Sequence, residues 1–344
     1  MLGILLVTFP FFALVLCGYV AARRAFLPQA AIPGLNTFVL YFALPCMLYR
    51  FGANTPIRQL LDVPLMALYT LCALVMVAFT IAVTRNRRIG WNDASFGALV
   101  AAFPNTGFMG VPLLVALLGA QAAGPAIVTI VVDMLLTSSL CIALSRLDGA
   151  DEHSDKFGPH ARHQGAVAAP QGGARALGRP GAARAARLAL KGVLLNPLPW
   201  AIVLGGLSSA LALKLFKPLM DTVGLLADAA SPVALFTIGA ILARSQMNSA
   251  TRTPLTDYVP VAFIKLVLHP LLVGLVGLGA IALGLPLDRF ALTVVVLVAA
   301  LPSASNVAML AERFGADNGR IARIILLSTV LAFFSFSAAV ALLA

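Results

Sequence analysis

Runs of about twenty apolar residues recur along almost the whole of this 344-residue chain, and they restrict its fold more than any other feature. Each run is long enough to cross a hydrocarbon layer about 30 Å thick at 1.5 Å per helical residue. Lipid offers no water to backbone N–H and C=O groups, so a spanning segment must pair them internally, as a helix does. The chain is 60% hydrophobic and 11% charged, with a mean hydropathy of +0.97. A soluble domain carries about 25% charged residues, which excludes that class. The net charge of +11 would suit nucleic acid, but the basic residues sit between the apolar spans. That placement points to membrane orientation and anionic headgroups, with no nucleic-acid partner.

The pattern predicts an all-α polytopic membrane protein of ten helices. They fall near 3–22, 31–50, 63–84, 94–118, 124–146, 193–214, 218–243, 258–284, 288–311 and 319–343. The first is expected to stay as a helix: "LVLCGYVAARRAF" has no A-x-A site, and no basic region precedes the apolar stretch. Cys17, Cys46, Cys72 and Cys141 all fall inside spans without metal-ligand spacing. They read as small buried packing residues, and no metal or cofactor is expected.

Arg23, Arg24, Arg85, Arg87, Arg88, Arg244, Arg252, Arg313, Arg320 and Arg323 fall on alternate turns, together with the central loop. The opposite turns hold only Arg50, Arg58, Lys214, Lys217 and Arg289. The basic side is therefore expected to be cytoplasmic, with both termini outside. Residues 147–190 have too few large apolar side chains for a core and read as a flexible cytoplasmic tether. Its His153, His160 and His163 are too loosely spaced for a metal site, and Arg175 to Lys191 suit anionic headgroups. The tether leaves a five-helix repeat at 1–146 and a second at 191–344. Five is odd, so the second repeat must enter the membrane inverted.

Two spans contain helix breakers at matching places. "AAFPNTG" (101–107) in the fourth helix has its counterpart in "AALPSASN" (299–306) in the ninth, and both prolines fall near mid-span. Proline removes a donor and clashes with the preceding turn, so a break inside lipid survives only against protein or a water-filled cavity. Interrupted helices at equivalent places of two inverted halves point to a transporter binding site. Each half-helix starting after Pro104 or Pro302 brings about half a positive charge to its N-terminus, so two facing ends balance about one carboxylate. Asn105 and Thr106 on one side, and Ser303, Ser305 and Asn306 on the other, are neutral groups from which an anion can be released.

These motifs carry a family likeness. "FPNTGFMGVPLL", "AALPSASNVAMLAERFGAD" and "LNTFVLYFALPCMLYRF" resemble the fourth, ninth and second helices of the auxin efflux carrier family. That family includes the plant PIN transporters and bacterial malonate transporters. The resemblance spans everything but the central loop. It implies two inverted five-helix repeats, a scaffold and a transport domain, helices four and nine crossing at Pro104 and Pro302, and a carboxylate at the crossing. Asn105 after Pro104 matches the plant motif; Ser303, Ser305 and Asn306 after Pro302 depart from it. A bacterial-type chain then implies a small metabolic acid such as malonate, the inner membrane and, by analogy, a homodimer through the scaffold helices.

Four ionisable residues remain within spans: Asp133, Asp228, Lys265 and His269. Insertion of Asp or Lys at mid-membrane costs at least about 2.5 kcal/mol, which makes each a functional candidate by default. Asp133 and Asp228 are expected to lie deep and to bind a coupling proton or cation. Lys265 is placed either to snorkel or, like Arg50, to offset the second charge of a dianion. Other classes fare worse. Serines in "GGLSSAL" and "SASN" have only His269 as a membrane base and no G-x-S-x-G elbow, which argues against an enzyme. No ring of like charges marks a channel and no Walker motif marks an ATPase. The runner-up is a Na⁺- or H⁺-coupled symporter or exporter of another organic anion, such as an auxin-like monocarboxylate.

Overall fold

The computed structural model describes residues 2–147, 197–213, 216–248 and 253–343, all helices and turns apart from one isolated bridge. The tether and its three histidines, Lys214 and Arg252 lie outside the described residues.

The elements are α1 (Leu2–Arg23), α2 (Gln29–Asn54), α3 (Ile57–Thr84), α4 (Trp91–Ala102), α5 (Thr106–Leu118) and α6 (Ala120–Leu144). After the tether come α7 (Pro197–Ala210), α8 (Lys217–Asn248), α9 (Leu255–Ala282), α10 (Arg289–Ala300), α11 (Asn306–Arg313) and α12 (Asn318–Leu343). Seven of the described helices are long and apolar enough to cross a membrane: α1, α2, α3, α6, α8, α9 and α12. The expected fourth and ninth helices are each divided, into α4 with α5 and α10 with α11. Local sequence explains the starts. Asp62 accepts from the Leu65 N–H at the main stretch of α3, and Asp288 from the Ala291 N–H at α10, pairing groups that a helix start otherwise strands.

Two close pairs stand out. In α1 and α8 the backbones touch: a Cβ on Gly18 would lie 1.8 Å from the Phe236 carbonyl oxygen, and one on Gly239 would lie 1.9 Å from that of Val15. A Cβ on Gly205 of α7 would lie 2.6 Å from the Tyr49 carbonyl oxygen of α2. Small residues permit this approach, which supplies van der Waals packing that lipid cannot reward otherwise. The remaining elements pack around α4 and α10, whose residues 94–102 and 294–301 are almost wholly buried. Large apolar side chains such as Phe9, Leu71, Leu275 and Phe334 cover the outer faces. Cys72 and Cys141 are buried as expected, but Cys17 is exposed on α1 and Cys46 half-buried. A thiol is apolar enough to face lipid without cost, so burial did not follow from lying in a span.

The basic turns gather at one end. Arg23 and Arg323 line one cleft with Ser245 and Gln246, Arg85 lies 4.4 Å over the Trp91 ring, and Arg146 lies 5.0 Å over Phe314. Arg320 is not one of the exposed charges there. It is 2% exposed, donating from Nε to the Asp257 carbonyl (2.7 Å) and from Nη1 to the Asp93 carbonyl (2.9 Å). It ties α4 and α9 to α12.

Candidate functional site

The two breaks are hydrogen-bonded to each other. The Asn105 N–H donates to the Pro302 carbonyl (2.8 Å), the Ala304 N–H donates to the Phe103 carbonyl (3.0 Å), and Pro104 pairs with Ser303 as an antiparallel bridge. Each interruption thereby supplies the partners that the other lost to its proline, which meets the demand that lipid imposes. The Ser303 N–H is taken by Ser328 Oγ of α12 at 3.2 Å. On the next turn the Asn105 carbonyl accepts from both Met109 and Gly110, which widens Thr106–Gly110 into a π turn. A Cβ on Gly110 would lie 2.5 Å from Leu301 Cδ1, so only glycine lets the second break pack against that turn.

The backbone is satisfied, and the side chains are not. Asn105, Thr106, Ser303 and Ser305 are buried at 1–4% exposure, and Asn306 is half-buried. Asn105 Oδ1, Thr106 Oγ1, Ser303 Oγ and Asn306 Oδ1 have no hydrogen-bond partner among the described residues. Buried polar atoms are nearly always paired, so four orphans at one junction call for a reason. All belong to residues expected to bind ligand, and the starts of α5 and α11 stand beside them. Such a junction can hold an anion with helix-end N–H groups and neutral side chains.

The ionisable candidates divide. Asp133, Lys265 and His269 are fully buried. Asp133 accepts from the Tyr69 hydroxyl (2.9 Å) and from Thr137 (3.0 Å). Lys265 Nζ donates to the Ala299 carbonyl (2.7 Å) and lies 3.1 Å from His269 Nδ1. Lys265 therefore does not snorkel: its stem turns inward, where the end of α10 offers an acceptor. Asp228 is the other way about. Its side chain is 69% exposed and bonds Arg50 Nη1 at 2.7 Å. Unlike Asp133, Asp228 is not enclosed by the protein, and its charge is met by Arg50 at the outer surface of α8. Arg50 lies near the α2 end at Asn54, which sets the pair toward that end of the bundle.

Three residues escaped the sequence reading. Tyr69 carried a usable signal, since a buried tyrosine hydroxyl in an apolar span needs a partner. Ser328 and the burial of Arg320 carried none, because both depend on which face of α12 turns inward.

The family model for membrane transport proteins matches residues 4–340. The chain belongs to that family. Among its relatives is a Rhizobium meliloti (strain 1021) protein described as "Putative malonate transporter", 30% identical over 325 residues, covering 94% of this chain and 90% of that one. "Uncharacterized transporter YfdV" of Escherichia coli (strain K12) is 24% identical over 307 residues, covering 89% and 86%. "Auxin efflux carrier component 4" of Arabidopsis thaliana is 29% identical over 119 residues, covering 34% of this chain and 19% of its own length. Membership makes the chain a membrane transporter of this family, consistent with anion transport, and not an enzyme.

Proposed function

We propose that the protein is a secondary transporter carrying a small organic carboxylate of the malonate class across the bacterial inner membrane by alternating access. The observation that carries this reading is the junction of two interrupted helices, where the unpaired, buried hydroxyls of Thr106 and Ser303 can donate to a carboxylate beside two helix N-termini, with the unpaired amide oxygens of Asn105 and Asn306 next to them as acceptors. One carboxylate is held there as α4–α5 and α10–α11 cross, balanced by about one unit of helix-end charge. Malonate carries a second negative charge. Arg50 is already paired with Asp228, so a positive charge gained with the substrate offsets it.

Residues 1–146 and 191–344 form inverted repeats joined by the cytoplasmic tether at 147–190, in an arrangement of ten helices. Supporting this, first and seventh helices pair as α1 with α8, and second with sixth as α2 with α7, the reciprocity an inverted duplication requires. Those four are the scaffold, through which a homodimer forms, and the rest are the moving body. The basic end is cytoplasmic and both termini face outward.

The test is uptake of labelled malonate into proteoliposomes, in competition with acetate, succinate and indole-3-acetate. Saturable uptake is expected, with KM raised about tenfold in Asn105→Ala, the worth of one hydrogen bond to a charged group, and an unchanged melting temperature. An unaltered KM in the folded variant would remove the junction as the site. Failure of the folded protein to take up any of the acids would remove the substrate class.

A further inference from the structure

Asp133 of α6 and Lys265 and His269 of α9, each 0% exposed, form one unit. The Tyr69 ring lies 6.1 Å from the His269 ring while its hydroxyl holds Asp133. No ion-pair contact within 4 Å joins Lys265 to Asp133 among the described residues. A pair kept only for stability should touch, since burial without contact leaves two desolvated charges poorly repaid. Here the acid is held by two hydroxyls, the amine by a carbonyl and an imidazole, and His269 Nε2 has no partner.

The backbone adds a second observation. Four π turns occur among the described residues, at Val39–Ala43, Thr106–Gly110, Asp133–Thr137 and Ile264–Leu268. Three are followed two residues later by Pro45, Pro112 or Pro270, whose missing N–H and bulky ring account for the widening. The turn that opens with Asp133 has no such proline. There the Asp133 carbonyl accepts both the Ser138 N–H and the Ser138 hydroxyl, the latter at 2.8 Å. Single π turns inside α-helices are frequent at functional sites. Across from it, the Lys265 ammonium sits on the last turn of α10, beside the break. A helix C-terminus carries about half a negative charge, and in carriers with broken helices such ends and their carbonyls hold the coupling ion.

We propose that Asp133, Lys265 and His269 are the proton-coupling site of this carrier, with the Lys265 ammonium filling the place at the end of α10 that a coupling metal cation would need. A hydronium ion gives its proton to the Asp133 carboxylate: one O–H bond of hydronium breaks as that of the acid forms, leaving water and a neutral carboxylic acid. Lys265 then stands as one uncompensated positive charge and offsets the second charge of a dianion at the junction. Release of the anion returns the proton to water. The ionisable groups that α3, α6 and α9 present to this unit are Tyr69 and Cys72, Asp133 and Cys141, and Lys265 and His269. The α10 element adds the Ala299 carbonyl. The charged residues of α4 and α12, which also pack here, are Asp93, Arg320 and Arg323, all within the first two turns.

The proposal rests on the carboxylate reading, so its test has two arms. In proteoliposomes, malonate uptake is expected to be equal in Na⁺, K⁺ and choline media and to rise at least fivefold under an imposed pH gradient. In Asp133→Asn, malonate exchange should persist while the response to the gradient disappears. Uptake that needs Na⁺, or a gradient response kept by Asp133→Asn, would overturn the proposal. If no acid is transported, the carboxylate reading fails separately, and melting temperatures of purified protein at pH 5 to 9 decide the coupling site. The wild type should show a pH dependence that Asp133→Asn lacks, and no stabilisation by Na⁺. Superimposable pH profiles, or stabilisation by Na⁺, would overturn it.

Discussion

At the residue scale, a charge inside an apolar span has two fates, and the sequence distinguishes them poorly. Asp228 and Asp133 read alike, as carboxylates about ten positions into a helix, yet one is exposed against Arg50 and the other is sealed under Tyr69. The difference predicts different behaviour. Replacing Asp228 by Asn should change stability by less than about 1 kcal/mol, as for other exposed ion pairs, and leave the pH profile of transport unaltered. A shifted profile would bring Asp228 into the coupling machinery. Arg320 should tolerate change far less. Truncation to Ala strips two carbonyls of a cationic donor and leaves a void between α4 and α12, so a loss of about 3 kcal/mol or more is expected in thermal unfolding. The neighbouring Arg323→Ala should cost much less.

At the element scale, small residues decide how closely helices meet. Gly239 and Gly224 lie on the same helix, but a Cβ at 239 would strike the Val15 carbonyl at 1.9 Å, whereas at 224 nothing lies within 4 Å. Gly239→Ala should therefore cost about 1–3 kcal/mol through overpacking, measurable as a lower melting temperature in detergent. Gly224→Ala should be neutral or slightly stabilising, because alanine favours the helix. Equal effects would mean that α1 and α8 are not held by that approach. Three of the four described π turns precede a proline, where widening by one residue avoids stranding a carbonyl, whereas Pro10, Pro232 and Pro260 are accommodated in helices without one.

At the scale of the whole molecule, the alternating access proposed above has α5 moving against α2. A Cβ on Gly107 would lie 3.8 Å from Leu44 Cδ2. In a background lacking Cys17, Cys46, Cys72 and Cys141, bridging Leu44→Cys and Gly107→Cys with mercuric ion should stop malonate uptake, and excess thiol should restore it. Continued uptake in the bridged protein would show that these two helices travel together and would overturn the division into scaffold and moving body.

What the sequence determined by itself was whatever lipid makes local. Apolar runs of this length had to be helices to pair their own backbone in lipid; proline alone did not decide the breaks, since Pro104 and Pro302 interrupt their spans while Pro10 and Pro232 lie inside continuous helices. The polar residues after Pro104 and Pro302 were legible as a candidate site because a break inside lipid needs polar partners. Tertiary structure decided the pairings: Asn105 with the Pro302 carbonyl, Lys265 with the Ala299 carbonyl, Tyr69 with Asp133, Arg320 turned inward and Asp228 outward. These depend on how each helix is rotated about its axis and how far it extends. Contacts between residues far apart in the chain fix both, and an apolar span surrounded by lipid and by other helices carries too little amphipathic pattern to announce them.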